Sequence, residues 1–299
     1  MDKARLSFHE EIRKNKFQSF FLIGIVLLVL LVLVYVIGFA MGPDYFFVIL
    51  IFGTIFSLVY VVTGYYKSAE LAIASVRAKK ANGPAYRQFH NIVEGLCLAS
   101  GLPKPKLYIM EHDQINAFAS GRDPEHAVVC VTTGALQKLT KSELEGVLAH
   151  ELSHIANYDI RFMTLTAVLV GMISIIAQIF LRSLFWSSLG GGNKDSKNNS
   201  QIVFLIVGIA LAILAPIIVA LVQFAISRKR EYAADSSAVK FMRTPTGLLG
   251  ALKKIKGNSE MKVPGAVAPL FLEKPSKKSK EWFSTHPPLE KRIARLGRM

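Results

Sequence analysis

Four stretches of this chain contain no Asp, Glu, Lys or Arg: residues 17–43, 45–66, 162–181 and 198–227, which are 27, 22, 20 and 30 residues long. A helix needs about 20 apolar residues to cross the hydrocarbon of a bilayer, and all four stretches reach that length. Lipid offers no partner to backbone N–H and C=O groups, so each stretch is confined to a helix that satisfies them internally. Four spans follow, over about 17–39, 45–64, 162–184 and 202–226. They account for a composition that is 52% hydrophobic and only 19% charged, with a mean hydropathy of +0.37, too apolar for an ordinary soluble enzyme. Thr164, Thr166, Ser174 and Gln178 lie within the third stretch, where a helix facing other helices tolerates them.

Charge sets the expected orientation. Lys3, Arg5, Arg13, Lys14 and Lys16 precede the first span, whereas the connection from Ala40 to Asp44 has no basic residue, so the N-terminus is expected in the cytoplasm. The apolar run from Phe17 to Phe39 exceeds the core of a signal peptide, which argues for retention. A short turn at Gly42-Pro43 makes spans one and two a hairpin, and Tyr65-Tyr66-Lys67 gives the returning end an aromatic and basic edge. Arg228-Lys229-Arg230 outweighs the two lysines of the glycine-rich external loop near 190–200 and places the last segment inside as well. The division is therefore 1–66, a cytoplasmic N-terminus and hairpin; 67–161, a cytoplasmic segment; 162–227, a second hairpin; and 228–299, a cytoplasmic C-terminal segment. The formal charge of +15 gathers in the segments at the two ends of the chain, near anionic lipid headgroups. No nucleic-acid recognition motif accompanies it, and no nucleic-acid partner is expected.

The segment 67–161 reads as α+β. Helices are expected over Glu70–Lys80 and Tyr86–Ala99, and short strands over Lys106–Met110, Asn116–Ser120 and Ala127–Thr132. Cys97 and Cys130 fall inside this segment and read as small buried hydrophobes or free thiols. Beyond Glu231, Arg243-Thr244-Pro245 breaks a helix, Gly247–Ile255 starts another, and Met261–Leu272 is a connection punctuated by proline and glycine. A final helix is expected over Leu289–Leu296.

The stretch that carries chemistry is His150-Glu151-Leu152-Ser153-His154. On a helix, His150 and His154 stand one turn apart on one face, a spacing that suits a single Zn²⁺, with Glu151 beside them to take a proton from water. Thr140 and Glu143 form a capping box that starts this helix, and Leu144, Val147, Leu148 and Ile155 give it an apolar face. A zinc enzyme needs a third protein ligand and an open position. The chain has Asn157 and Ile160 where a short-range third histidine motif needs glycine and histidine. Glu231 is the candidate on topological grounds: the third span leaves the cytoplasm just past His154 and the fourth returns just before Arg228, bringing Glu231 back to the level of the histidines. Asp235, one turn later on the same face, can hold the distal nitrogen of a bound histidine. His112, His126 and Asp159 remain rival ligands, although a continuous helix puts Asp159 nearly opposite the histidine pair.

Taken in order, Asn116-Ala117-Phe118-Ala119, the histidine motif, Asn157-Tyr158-Asp159, Arg230-Glu231-Tyr232-Ala233-Ala234-Asp235 and Ser284-Thr285-His286-Pro287 resemble the HtpX family of bacterial membrane proteases over nearly the whole chain. The resemblance implies an α+β fold with four transmembrane helices and a gluzincin-type metalloprotease domain, mainly helical with a small β-sheet. It implies one Zn²⁺ on His150, His154 and Glu231, with Glu151 as catalytic base. It places Asn116, Ala117 and Phe118 at the cleft edge to bind substrate, His286 near the developing oxyanion, and Arg292 in support of that site. A turn role for Asn116 and a capping or packing role for His286 stand beside these readings. The implied enzyme is a zinc endopeptidase of the bacterial inner membrane, multi-pass, that cleaves membrane or membrane-associated proteins on the cytoplasmic side in quality control. A non-proteolytic metal-dependent scaffold or chaperone, and a processing peptidase for prenylated proteins, are the alternatives.

Overall fold

The computed structural model describes residues 8–41, 43–167, 228–256, 270–272 and 287–299, with single positions 171, 206, 208 and 209. Helices α1 (Phe8–Met41) and α2 (Pro43–Tyr66) pack side by side, with Val34 against Gly53 and Phe46 against Gly38, the register of an antiparallel hairpin. Within them Asn15–Phe39 and Pro43–Tyr66 are long and apolar enough to cross a membrane. Only 28% and 11% of their most apolar windows are buried, so Phe20, Phe21, Leu28, Phe47, Phe52 and Phe56 present apolar surface outward. The core helix of a soluble protein buries such residues, and lipid is the solvent that suits them exposed. The described residues thus show two spans where the sequence suggests four. The expected spans over 162–184 and 202–226 lie outside the described residues, apart from helix at 162–167 and four single positions.

The chain then forms α3 (Ser68–Ser75), shorter than the helix expected over Glu70–Lys80. Arg77 adopts a left-handed backbone (φ 54°) that ends the helix. Lys79–Lys80 become β1 instead, antiparallel to β2 (Lys106–Met110). Between them α4 (Arg87–Ser100) buries Phe89, Ile92, Val93, Leu96 and Cys97 on one face and stops at Gly101 in the left-handed region. Strands β3 (Ala117–Ser120) and β4 (Val128–Thr132) complete a mixed sheet of order β1-β2-β4-β3, in which β2 and β4 run parallel and β3 and β4 antiparallel. Central β4 is buried at every residue, which suits its sequence Val-Val-Cys-Val-Thr.

After a short α5 (Thr133–Lys138), helix α6 (Lys141–Ala156) runs through the middle of the domain. Its capping box is formed: Glu143 N–H donates to Thr140 Oγ1, and Thr140 N–H donates to the Glu143 carboxylate. From Gly146 to Ala156 every residue is buried, because α4, β3, α7 (Arg228–Met242) and α8 (Thr246–Ile255) surround it. The last helix, α9 (Leu289–Leu296), packs on α7 and α8. One apolar core unites α4, the sheet, α6 and α8, and includes Val93, Val129, Val147, Leu148, Leu152 and Leu252.

Candidate metal centre

The buried course of α6 carries three ionisable side chains that a core rejects unless they are partnered: His150, Glu151 and His154, each no more than 4% exposed. The helical repeat puts the two rings on one face, and their Nε2 atoms lie 3.2 Å apart. Helix α7 crosses α6 there and inserts Glu231, whose Oε2 is 3.5 Å from His150 Nε2 and whose Oε1 is 3.6 Å from His154 Nε2. Zinc bonds of about 2.0–2.1 Å in a tetrahedron separate neighbouring ligand atoms by roughly 3.3 Å, so the three donors fit one ion of that kind. Among the described residues, His150, His154 and Glu231 form the one group with this convergence.

Each ring is held from behind by a carboxylate. His150 Nδ1 lies 3.0 Å from Asp235 Oδ1, and His154 Nδ1 lies 3.1 Å from Asp159 Oδ2. Each Nδ1 can thus share a proton with a carboxylate, which leaves each Nε2 turned inward toward Glu231 as the atom that would bind a metal. Behind this layer stands Arg292, fully buried on α9, with Nε 3.0 Å and Nη2 2.6 Å from the two oxygens of Asp235 and Nη1 3.5 Å from Glu231 Oε2. The planar fork matches the carboxylate bidentately. Arg230 meets Asp159 at 3.5 Å. Glu151, Asp159, Glu231 and Asp235 thus face two guanidinium groups, a surplus of negative charge that a divalent cation offsets.

The charges of this cluster also move its members from their ordinary pKa values. Burial and Arg292 oppose a charged His150 ring, yet Asp235 and Glu231 outweigh them and raise it to about 9. Burial alone would lift Asp235; the charge of Arg292 and the His150 contact hold its carboxyl below the ordinary range. Glu151 is lifted by burial and by the charge of Glu231, against the pull of His150, His154 and Arg292. A carboxylate raised in this way is a stronger base when ionised.

Asp159 is where sequence projection goes wrong. On a continuous helix it lies opposite the histidines, but α6 ends at Ala156 and Tyr158 takes a left-handed backbone (φ 60°) before helix resumes at 159. The helical phase resets, and Asp159 turns back to His154. The turn-prone Asn157-Tyr158 pair is the sequence signal for that break. The other rivals are engaged elsewhere: His126 Nδ1 lies 2.6 Å from Asp123, and His112 Nδ1 accepts from the Gln114 amide.

The Asn116 segment differs from the exposed strand that peptide binding calls for. Asn116, Ala117 and Phe118 are buried, Asn116 Oδ1 accepts from Ala117 N, and Asn116 N donates to Thr132 Oγ1. The outer edge of β3 is covered by the chain itself: Phe271 bridges to Phe118, Leu272 N donates to Ala117 O at 2.9 Å, and the two phenyl rings pack at 4.9 Å. His286 lies outside the described residues.

Residues 85–299 match the family described as Peptidase family M48. A protein named Protease HtpX homolog from Thermoanaerobacter pseudethanolicus is 47% identical over 244 residues, covering 81% of this chain and 82% of the relative. Another from Dictyoglomus turgidum is 40% identical over 300 residues, covering 98% and 95%. A third from Listeria monocytogenes serotype 4a is 39% identical over 306 residues, covering 97% and 99%. Among solved structures, S. mikatae Ste24p shares the fold at a TM-score of 0.50 and 20% identity over 89% of this chain, which spans 62% of that protein's length.

Proposed function

This chain belongs to peptidase family M48, among its HtpX proteases, and is a membrane-bound metalloprotease; from that premise we propose that it is a zinc endopeptidase whose centre is His150, His154 and Glu231, with Glu151 as general base. The observation that carries the reading is the triangle of two Nε2 atoms and one carboxylate, 3.2–3.6 Å on its edges, on a buried helix that also bears Glu151.

Zinc held there supplies Lewis-acid polarisation of a peptide carbonyl and acidifies a water molecule. The work of the chain is the rest. Glu151, next to His150 and raised in basicity by burial, takes the proton of the attacking water and returns it to the departing amine. Asp235 and Asp159 keep both imidazoles in the Nδ1-protonated form, so the rings need not reorganise during a turnover. Arg292 neutralises Asp235 and prevents it from competing for the ion. His286 precedes the proline cap of α9, the helix that delivers Arg292, and in this reading it donates to the oxyanion. Substrate is proposed to lie along Asn116, Ala117 and Phe118 in extended form, which requires Phe271–Leu272 to leave the β3 edge first.

The substrates are proposed to be membrane or membrane-associated proteins, cut at the cytoplasmic face of a bacterial inner membrane in quality control. The apolar hairpin of α1 and α2 and the five basic residues ahead of its apolar run, which begins at Phe17, support that location and orientation. Glu151→Gln keeps the shape of the side chain and removes the base. The purified variant is expected to retain one zinc per chain and to lose cleavage of a membrane-protein substrate by about 10³-fold. Robust cleavage by that variant would sink the assignment.

A further inference from the structure

We infer that Asn15, on the first apolar helix, is a positioning residue for the metal centre: its side-chain amide fixes the carboxylate of Asp159, which in turn orients His154. The inference rests on the reading of His154 as a metal ligand. Asn15 has two amide protons, and Nδ2 lies 2.9 Å from the Asn157 carbonyl and 3.0 Å from Asp159 Oδ1. The other oxygen of Asp159 is the one that faces His154 Nδ1 at 3.1 Å. Asp159 is therefore tied at both ends, by a membrane helix on one side and a candidate ligand on the other.

Two neighbours on α1 reinforce this grip. Gln18, one turn further along, accepts from Arg230 Nη2 at 2.7 Å, and Arg230 both meets Asp159 at 3.5 Å and directly precedes Glu231. Lys16 places its ammonium 4.2 Å over the ring of Tyr158, the residue whose left-handed backbone turns Asp159 toward the site. Asn15, Lys16 and Gln18 thus contact the chain beside both His154 and Glu231, at separations of 142 to 212 residues in sequence.

A polar amide at the foot of an apolar helix is costly in or near lipid unless it is bonded, and here both its protons are spent on the layer behind His154. Docking of α1 has a separate apolar source: Leu22, Val26 and Leu30 pack with Phe162 and Leu165. That separation lets docking and positioning be tested apart. Groups that orient a metal-bound histidine typically change affinity by 10–100-fold, and Asn15 acts one hydrogen bond further out, so about 3–10-fold is expected from its loss.

The experiment uses the full chain in detergent and compares the parent with Asn15→Leu, Leu22→Ala, Asp159→Ala and the double variant Asn15→Leu/Asp159→Ala. Zinc affinity is read by chelator competition, and ligand geometry by the visible absorption of the Co²⁺-loaded protein. Asn15→Leu is expected to raise the zinc dissociation constant about 3–10-fold and to shift the Co²⁺ bands. Leu22→Ala is expected to lower thermal stability while leaving affinity and bands unchanged, and Asn15→Leu is expected to add nothing once Asp159 is gone. The inference is overturned if Asn15→Leu matches the parent in both readouts, if Leu22→Ala reproduces its shift, or if the two single effects simply multiply. If His154→Ala binds Zn²⁺ as tightly as the parent does, the metal-centre reading itself falls and takes this inference with it.

Discussion

The two histidines of α6 receive matching support from unmatched places, Asp235 on α7 for His150 and Asp159 just beyond α6 for His154. Their surroundings differ in a way that separates two effects. Asp235 also neutralises Arg292, which is fully buried, whereas Asp159 faces Arg230, whose guanidinium is also bonded to Gln18 and stacked over Phe162. Asp159→Asn and Asp235→Asn are both expected to weaken zinc binding by about 10–100-fold in chelator competition. Only Asp235→Asn should also cost roughly 3–5 kcal/mol in chemical unfolding, because it leaves a buried guanidinium short of its counter-charge. Equal stability of the two variants would show that Arg292 draws its compensation from Glu231 instead. The histidines, Glu151, Glu231 and Asp235 were all legible from helical spacing and from the order of apolar stretches. The partner of His154 was not, since spacing arguments hold only within one uninterrupted helix and Tyr158 breaks it. The depth at which Arg292 is buried was equally hidden, because nothing in an eight-residue amphipathic helix announces which polar residue faces inward.

Helix α6 owes its placement to a close approach by α8. A Cβ on Gly146 would lie 2.3 Å from Leu248 N, and one on Gly247 would lie 2.2 Å from Ser142 O, so the two backbones touch where neither glycine can be replaced without moving a helix. Gly146→Ala is expected to lose about 3 kcal/mol in denaturant unfolding, with weaker zinc binding as α6 shifts. Unchanged stability would mean that the helices separate freely. The N-terminal end of α6 adds a pH-dependent contribution. Burial would lift Glu143, yet its contacts with Lys254 and with Thr140 prevail and depress it. A depressed carboxyl stabilises the fold above its unfolded value near 4.3, and that stabilisation fades as pH falls through the lower folded value. Glu143→Gln is therefore expected to cost about 0.5–1 kcal/mol at neutral pH, kept small by the partly exposed Lys254, and almost nothing well below pH 4. Thermal unfolding at the two pH values measures it, and a pH-independent difference would remove the charge from the explanation. The capping box, the three strands, α8 and α9 were readable from local sequence. The two-residue β1 was not, since Lys79-Lys80 has no strand pattern and is recruited only by pairing with Tyr108 and Ile109.

On the scale of the whole molecule, the proposed metal centre joins parts of the chain that lie far apart in sequence and that otherwise meet through the apolar core. His150 and His154 come from α6 between the second and third long apolar stretches, Glu231 from α7 after the fourth, Arg292 from α9, and Asn15 from the first apolar helix. An ion that bridges α6 and α7 binds the folded arrangement and has no equivalent site in the unfolded chain, so its binding energy adds to stability. At a free zinc concentration of 100 times the dissociation constant this is about 2.7 kcal/mol. For a chain of 299 residues that corresponds to a rise of roughly 4–5 °C in Tm. Chelation is therefore expected to lower the melting temperature by about that amount and to expose 228–256 to added protease, both reversed by Zn²⁺. The same treatment of Glu231→Ala should change little, because the bridge is already cut on the α7 side. A full zinc-dependent shift in Glu231→Ala would place the ion on α6 alone and exclude the far segment from the centre.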